Sequence, residues 1–172
     1  MATAGRDDTI LDTSVLLNFL KADRLDLITQ HPRHRFYVTD HVRAEITQHY
    51  PDQLAKLEAA LSAGELDEIQ VTDPAEVQAF SQLNASKRLG AGECSAIAVA
   101  ANRRLPLAID DKRARKEART CSPKMVLLST EGLMVSLIHE GVVDVAAADS
   151  IKLEWEQKHR FKLNFGSFAE RI

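Results

Sequence analysis

Short, continuously apolar segments alternate with longer amphipathic segments along most of the chain. The apolar segments lie at residues 9–11, 35–40, 105–110 and 124–128, with a weaker one at residues 68–72. Runs of this length predict strands, and continuously apolar strands are typical of a sheet that is buried on both faces. We therefore expect a central parallel sheet.

The segments between these strands have helical spacing of their apolar residues. Pro74 can open one helix and Gly64 can end another, because proline fits the first helical turn and glycine follows the last. The predicted helices cover residues 13–20, 25–29, 40–49, 52–62, 74–86, 93–103, 111–119, 129–141 and 143–158. Strands that alternate with helices predict an α/β fold, a three-layer α/β/α sandwich around the sheet. The chain has no Pro/Gly/Ser-rich linker, which predicts a single domain over residues 1–172.

The composition is that of an ordinary globular protein, with 45% hydrophobic and 27% charged residues. The formal net charge of -3 provides no overall basic surface, so a polyanion would have to bind a local basic patch. Cys94 lies in an apolar helical pattern, which favours a reduced, buried thiol over a disulfide with Cys121. Residues 1–6 lack an apolar core, and no segment approaches the roughly 20 apolar residues of a membrane span. We therefore expect a cytoplasmic protein without a signal peptide.

Five acidic residues follow the predicted strands or lie near the starts of predicted helices. They are Asp12, Glu45, Glu93, Asp110 and Asp111. The carboxyl ends of parallel strands meet at one edge of a sheet, so these side chains could converge there. Carboxylates held close together repel one another unless a cation lies between them, and oxygen-only donors favour Mg²⁺ or Mn²⁺ over Zn²⁺. The sequence therefore predicts a metal site at this edge.

Each of these acids also has a local explanation. Asp12 and Asp110 could be helix N-caps, and Glu45 and Glu93 could be first-turn residues favoured by a helix dipole. The segment GAGE, which starts at Gly90, does not match a nucleotide-binding loop, since that fingerprint needs a third glycine and directly follows a strand. We expect its glycines to allow a tight turn that directs Glu93 towards the other acids.

Four segments of the chain form an ordered series. They are ILDTSVLLNFL, VTDHVRAEI, LGAGECSAIAVAANRRLPLAIDD and LLSTEGLMVSLIHEGVV. Each is a loose pattern alone, but together they resemble the four sequence blocks of PIN-domain proteins, a family of metal-dependent ribonucleases that includes the VapC-type toxins. The resemblance spans about residues 8–143 and leaves residues 144–172, a predicted helix and tail, outside it.

The resemblance implies a parallel sheet between helices and an acidic cluster that holds Mg²⁺ or Mn²⁺ and hydrolyses RNA phosphodiesters. The first three acids of the family are matched by Asp12, Glu45 and Glu93. The fourth falls at Asp111 when the family's hydroxyl residue is aligned with Ile109, and Asp110 is then an extra carboxylate. The expected metal ligands are Asp12, Glu93, Asp111 and Asp110. Glu45 is expected to bind a metal or to orient the attacking water.

The same resemblance implies a role for the chain and a set of partners. The chain would cleave RNA, alone or as the toxin of a toxin–antitoxin pair, and would form a homodimer. A toxin would also bind a small antitoxin whose segment occupies the acidic groove. The blocks look more like a less characterised branch of PIN proteins than like the best-studied toxins. A function of another class stays open, namely a PIN-like module that binds nucleic acid or protein without cutting.

A run of basic residues follows the two adjacent aspartates. It comprises Lys112, Arg113, Arg115, Lys116 and Arg119. Four of these residues share one helix face, because Arg115, Lys116 and Arg119 are 3, 4 and 7 positions after Lys112. They could bind the phosphates of RNA beside the metal. The alternative is an ordinary solvated helix face.

Three features lie outside this acidic and basic region. His31 and His34 are predicted to be a surface pair in a loop rather than a Zn²⁺ site. Trp155 lies in a helical apolar pattern and is predicted to pack in the core rather than to stack on bases. The apolar segment at residues 161–168 could be an extra strand or a mobile tail that docks on a partner.

Overall fold

The computed structural model describes residues 5–172, in which five strands form one parallel sheet. The strands are β1 (Asp7–Leu11), β2 (His34–Thr39), β3 (Asp67–Ile69), β4 (Leu107–Ala108) and β5 (Leu127–Leu128). Their order across the sheet is β3-β2-β1-β4-β5, and every neighbouring pair is parallel. The predicted central parallel sheet is confirmed, with β1 in the middle.

Helices connect the strands. Within the described residues they are α1 (Thr13–Lys21), α2 (Asp26–Thr29), α3 (Asp40–His49), α4 (Pro51–Ser62), α5 (Pro74–Ala85), α6 (Ala91–Arg103), α7 (Lys112–Cys121), α8 (Thr130–His139), α9 (Val145–Lys158) and a 3₁₀ helix (Phe168–Glu170). No helix in this part of the chain has both the length and the apolar character that crossing a membrane requires.

Side chains of the sheet alternate between two apolar layers, as expected for strands that are covered on both faces. In β1, Leu11 belongs to a core cluster with residues of α1, α2, α4, α8 and α9, whereas Ile10 belongs to a second cluster with residues of α5, α6 and α7. Ala108 and Leu107 of β4 divide in the same way. The three-layer α/β/α sandwich is therefore confirmed.

Two element boundaries differ from the prediction in ways that affect the acidic edge. β4 is shorter than the predicted strand at residues 105–110, and Pro106, which has no N–H, only accepts a hydrogen bond, from Ile10 N at 2.9 Å. α6 begins at Ala91 rather than at residue 93. Glu93 is therefore the third residue of α6, a position from which its side chain can reach back to the residue that precedes the helix.

The C-terminal segment forms neither an added strand nor a free tail. Phe168 is fully buried, and Phe161 and Phe165 pack against the same core cluster. Asp149 of α9 holds the segment, because it accepts hydrogen bonds from Ser167 Oγ at 2.6 Å and from Phe168 N at 2.8 Å. Both expectations for this segment are corrected, since its aromatic side chains complete the chain's own core.

Burial decides three further expectations. Trp155 is fully buried, which confirms its packing role, and Cys94 is a buried free thiol as predicted. His31 is also fully buried, so the prediction of a surface histidine pair is wrong. Its ring packs against those of His34 and Phe36, with centroid distances of 5.0 and 5.8 Å. Burial is the main cause that lowers the pKa of His31, to about 4, so the buried ring is neutral at neutral pH.

Candidate functional site

Asp12 lies at the carboxyl end of β1, directly before α1. Its side chain is fully buried, and neither Oδ1 nor Oδ2 accepts a hydrogen bond. Its backbone is fixed on both sides, because its N–H donates to Ala108 O at 3.0 Å and its O accepts from Leu16 N at 3.1 Å. A buried carboxylate without donors is energetically costly, so this group requires a proton or a cation.

The surroundings of Asp12 raise its pKa from 3.8 to about 7. Burial is the main cause, and the negative charges of Glu93 and, more weakly, Glu45 act in the same direction. The N–H groups of Thr13 and Ser14 face the carboxylate and lower its pKa, but neither has the geometry of a hydrogen bond. The raised pKa is therefore that of an uncompensated buried acid.

Glu45 of α3 joins the first turns of two other helices. Its Oε2 accepts a hydrogen bond from Thr13 Oγ1 at 2.7 Å, and its Oε1 accepts one from Gly92 N at 2.8 Å. Thr13 is the first residue of α1 and Gly92 is the second residue of α6. The carboxylate thus holds α1 and α6 together beside Asp12.

Gly92 permits this contact because it has no side chain. A Cβ atom at this position would lie 2.5 Å from Thr13 Oγ1 and 2.6 Å from Glu45 Oε2, which is closer than van der Waals contact allows. Gly90 has a φ of -71°, and the positive-φ glycines of the described residues lie elsewhere in the chain. The expected tight glycine turn is therefore corrected, since what Gly92 provides is a close approach between helices.

Replacement of Gly92 by alanine is expected to lower the free energy of unfolding by about 1–3 kcal/mol, the usual cost of forcing extra atoms into a packed site. The added Cβ must displace Thr13 or Glu45. Urea denaturation measures the effect, and Gly132→Ala is the matched control, because Gly132 also lies in a first helical turn and its Cβ would come no closer than 3.3 Å to Ser129 Oγ. Equal stability of both variants would contradict the close contact.

Glu93 of α6 caps its own helix, since its Oε2 accepts a hydrogen bond from Gly90 N at 3.0 Å. Burial raises the pKa of Glu93, the Gly90 N–H lowers it, and the charges of Asp111 and Glu45 raise it again. The positive charge of Arg113 in α7 also lowers the pKa of Glu93. Glu93 therefore shares one electrostatic environment with a residue of α3, a residue of α7 and the residue that precedes α7.

The two aspartates after β4 have different surroundings. Asp110 is half-buried, and its Oδ1 accepts from Thr130 N at 2.8 Å while its Oδ2 accepts from Thr130 Oγ1 at 2.5 Å and from Asn18 Nδ2 at 3.3 Å. Burial raises the pKa of Asp110, and the hydrogen bonds from Thr130 lower it. Asp111 is exposed and is the N-cap of α7, accepting from Ala114 N at 2.8 Å.

Asn18 and Thr130 were not identified from the sequence. Both side chains are buried, and they are joined by a hydrogen bond from Asn18 Nδ2 to Thr130 Oγ1 at 3.0 Å. One signal was available, because Asn18 is a single polar residue inside the apolar stretch VLLNFL of α1. A polar side chain on an apolar helix face requires a buried partner, but the sequence does not reveal which residue supplies it.

The five predicted acids lie at one edge of the sheet, but their oxygens do not surround a single point. Within residues 5–172, no three acidic, His or Cys side chains are arranged so that they could hold one metal ion. Glu45, Glu93, Asp110 and Asp111 each accept hydrogen bonds from protein groups, and Asp12 is the one member of the five that accepts none.

Helix α7 carries the predicted basic residues. Lys112, Arg113, Lys116 and Arg119 are exposed. Arg115 differs, because its Nη1 donates to Ile109 O at 2.7 Å and to Leu128 O at 3.1 Å. Arg115 therefore joins the ends of β4 and β5, and the other four cations form an exposed basic surface on this helix.

A comparison with solved structures finds similar proteins from three organisms. A PilT N-terminus domain protein from Sulfolobus solfataricus has a TM-score of 0.50 at 16% identity, over 75% of this chain and 92% of that one. VapBC2 from Rickettsia felis, bound to a DNA fragment from its promoter, has a TM-score of 0.49 at 12% identity, over 71% and 98%. A toxin–antitoxin complex from Klebsiella pneumoniae has a TM-score of 0.43 at 15% identity, over 62% and 88%.

At these identities, the likeness to the Sulfolobus protein supports the fold alone. A comparison with curated proteins finds no match. The family model described as DUF3368, PIN domain, matches residues 8–156. The match includes most of α9, which lies beyond the four sequence blocks. The chain therefore belongs to the DUF3368 family of PIN domains.

Proposed function

We propose that this PIN domain is an Mg²⁺- or Mn²⁺-dependent endoribonuclease. The observation that carries the proposal is the carboxylate of Asp12, which is fully buried, accepts no hydrogen bond and lies within the charge influence of Glu93 and Glu45. A hard divalent cation fits this group, because its donors are carboxylate oxygens. Membership of the PIN-domain family supports nuclease chemistry.

Asp12, Glu93 and Asp111 would hold the metal. A bound divalent ion would neutralise charge on the phosphate and lower the pKa of the attacking water. Glu93 can turn towards Asp12 if it releases its hydrogen bond to Gly90 N, and Asp111 has an oxygen that its helix cap does not use. Glu45 is fixed by Thr13 and Gly92, and we propose that it orients the attacking water.

Attack by water rather than by the ribose 2′-hydroxyl predicts products with a 5′-phosphate and a 3′-hydroxyl. The test is incubation of the purified protein with a mixed pool of structured and single-stranded RNA in Mn²⁺, in Mg²⁺ and in chelator, followed by end-group analysis. Cleavage that requires metal and leaves 5′-phosphates supports the proposal. Products with 2′,3′-cyclic phosphates would contradict it.

We further propose that Lys112, Arg113, Lys116 and Arg119 bind the RNA backbone. An acidic site repels a polyanion, and these exposed cations begin immediately after Asp111. Each phosphate contact made by a cation releases counterions, so the logarithm of RNA affinity should fall linearly with the logarithm of salt concentration. Arg115 is left out of this surface because its guanidinium is bound to backbone carbonyls.

Replacing Lys112 and Lys116 by alanine is expected to reduce the slope of that salt dependence by about 1.4, because each phosphate contact to a single strand contributes about 0.7 to the slope. Fluorescence anisotropy of a labelled RNA measures the slope in the presence of Ca²⁺, which we expect to occupy the metal site without supporting cleavage. The matched control removes two cations elsewhere, Arg33 and Lys158, which form surface ion pairs with Glu140 and Glu154. An equal change in both double variants would rule out a local basic surface.

A non-cutting binding module is the second candidate function. The observation that favours it is that four of the five acids are already hydrogen-bonded to protein groups, and that no three side chains in the described chain are arranged around one ion. Calorimetric titration with Mn²⁺ distinguishes the two candidates.

The toxin role and the antitoxin partner belong to the nuclease proposal and follow from the resemblance to VapC-type proteins.

A further inference from the structure

The pair Asp110 and Asp111 consists of one carboxylate whose two oxygens both accept hydrogen bonds and one that uses a single oxygen. Both oxygens of Asp110 are occupied, by the backbone N–H and the hydroxyl of Thr130 and by the amide of Asn18. Asp111 accepts a single backbone hydrogen bond through its Oδ1 and is exposed. A metal at Asp110 would compete with buried donors, which would lack partners if they were displaced.

The residues that donate hydrogen bonds to Asp110 are themselves held by further contacts. Asn18 O accepts a hydrogen bond from Trp155 Nε1 at 2.7 Å, so the residue is held through both its backbone and its side chain. The indole of Trp155 packs edge-on against Phe19 and Phe161, at centroid distances of 5.7 and 5.4 Å. Asp110 is therefore the end of a buried polar chain that crosses the core from α9 through α1.

Thr130 is held as well. It is the first residue of α8, and the next residue, Glu131, forms a 3.3 Å ion pair with Arg171 of the C-terminal segment. The guanidinium of Arg171 also lies 4.7 Å from the ring centroid of Phe165. The C-terminal segment thus contacts the first turn of α8, and Thr130 of this turn donates hydrogen bonds to Asp110.

We propose that the two aspartates have separate roles, with Asp111 binding the metal and Asp110 acting as a positioning residue. Asp110 ties the end of β4 to α1 and α8, and so fixes the backbone that carries Asp111 next to Glu93. This inference rests on the proposed metal-dependent function. It assigns Asn18 and Thr130 to the same positioning unit as Asp110.

The test compares Asp111→Asn, Asp110→Asn, Thr130→Val and the Asp110→Asn/Thr130→Val double variant. Asp111→Asn is expected to weaken Mn²⁺ binding, measured by calorimetry, about 100-fold and to leave the melting temperature of the metal-free protein unchanged, because asparagine also caps helices. Asp110→Asn and Thr130→Val should each weaken binding by about tenfold and lower the melting temperature. The double variant should bind Mn²⁺ no more weakly than either single variant, because each of the three variants breaks the same hydrogen-bonded unit.

Thr130→Ser keeps the hydroxyl and is expected to restore wild-type Mn²⁺ affinity, which loss of packing alone would not do. The inference is overturned if Asp110→Asn weakens Mn²⁺ binding as much as Asp111→Asn, or if the losses from Asp110→Asn and Thr130→Val multiply. Absence of Mn²⁺ binding by the wild type would defeat the proposed function instead. The ¹³C resonance of the Asp111 carboxyl group in metal-free protein then decides the positioning role, which requires a shift in Thr130→Val but not in Thr130→Ser.

Discussion

Replacing Asp12 by asparagine is expected to reduce metal-dependent RNA cleavage by at least about a thousandfold. The substitution keeps the shape of the side chain but removes the one acid of the site that has no protein donor. Metal ions contribute several kcal/mol of transition-state stabilisation, and each 1.36 kcal/mol corresponds to about a factor of ten in rate. Single-turnover cleavage of a defined RNA in Mn²⁺ measures the loss.

The matched control for this experiment is Asp8→Asn. Asp8 is exposed and accepts a hydrogen bond from Tyr37 Oη at 3.2 Å, and it lies in the amino-terminal part of β1, whereas Asp12 follows the carboxyl end of that strand. We expect it to cleave as the wild type does. Residual cleavage in Asp12→Asn at the wild-type rate would indicate a contaminating nuclease or a catalytic centre elsewhere, and either result would remove the central support for the proposed function.

The second large effect concerns stability and pH. In the metal-free protein, Asp12→Asn is expected to become more stable than the wild type as pH rises, by up to about 4 kcal/mol at pH 8. The pKa of Asp12 is about 7 in the folded protein against 3.8 as the ordinary value. Between these values the folded state holds a proton that the unfolded state has lost, so the wild type loses stability as pH rises through this window.

Other groups titrate in the same range, so the wild-type curve alone does not isolate Asp12. Glu93 and Asp110 also have raised pKa values and act in the same direction. His31 acts in the opposite direction, because its lowered pKa makes the folded state lose stability as pH falls. The difference between wild type and Asp12→Asn isolates the titration of Asp12 together with its charge interactions with Glu93 and Glu45.

The measurement is urea denaturation of both proteins in chelator at pH 4, 5, 6, 7 and 8. The stability difference should be smallest at pH 4 and should rise steadily to pH 7. Adding Mn²⁺ at pH 8 should stabilise the wild type and not the variant, because a ligand stabilises only the state that binds it. A difference that stays constant across the pH range would show that Asp12 is not buried as an uncompensated acid.

These two effects share one physical origin. Buried carboxylates without partners are rare in folded proteins, because burying one costs more free energy than an ordinary hydrogen bond contributes. Asp12 retains that cost, although it is the N-cap residue of α1 and the N–H groups of Thr13 and Ser14 face its carboxylate. A buried group that lacks hydrogen-bond partners and lowers stability is typical of functional sites, where the ligand supplies the missing partner.

The sequence by itself determined the architecture and the edge of the sheet at which the acidic residues lie. The continuous apolar character of residues 9–11 and 105–110 required strands covered on both faces, and helical spacing between them required the two helical layers. The parallel arrangement then placed Asp12 and Asp110 at one edge, because strands that run in the same direction end on the same side. All of this follows from short-range periodicity, which a single chain displays directly.

Only the tertiary structure decided what each side chain contacts. The contacts of Glu45 with Thr13 and of Asp110 with Thr130 join residues 32 and 20 positions apart, and Asn18 reaches Thr130 across 112 positions. Gly92 was expected to make a turn and instead allows a close approach, which depends on the exact distance between three helices. Such pairings are set by packing geometry and by the cost of leaving a buried polar atom without a partner, and neither is encoded in local periodicity.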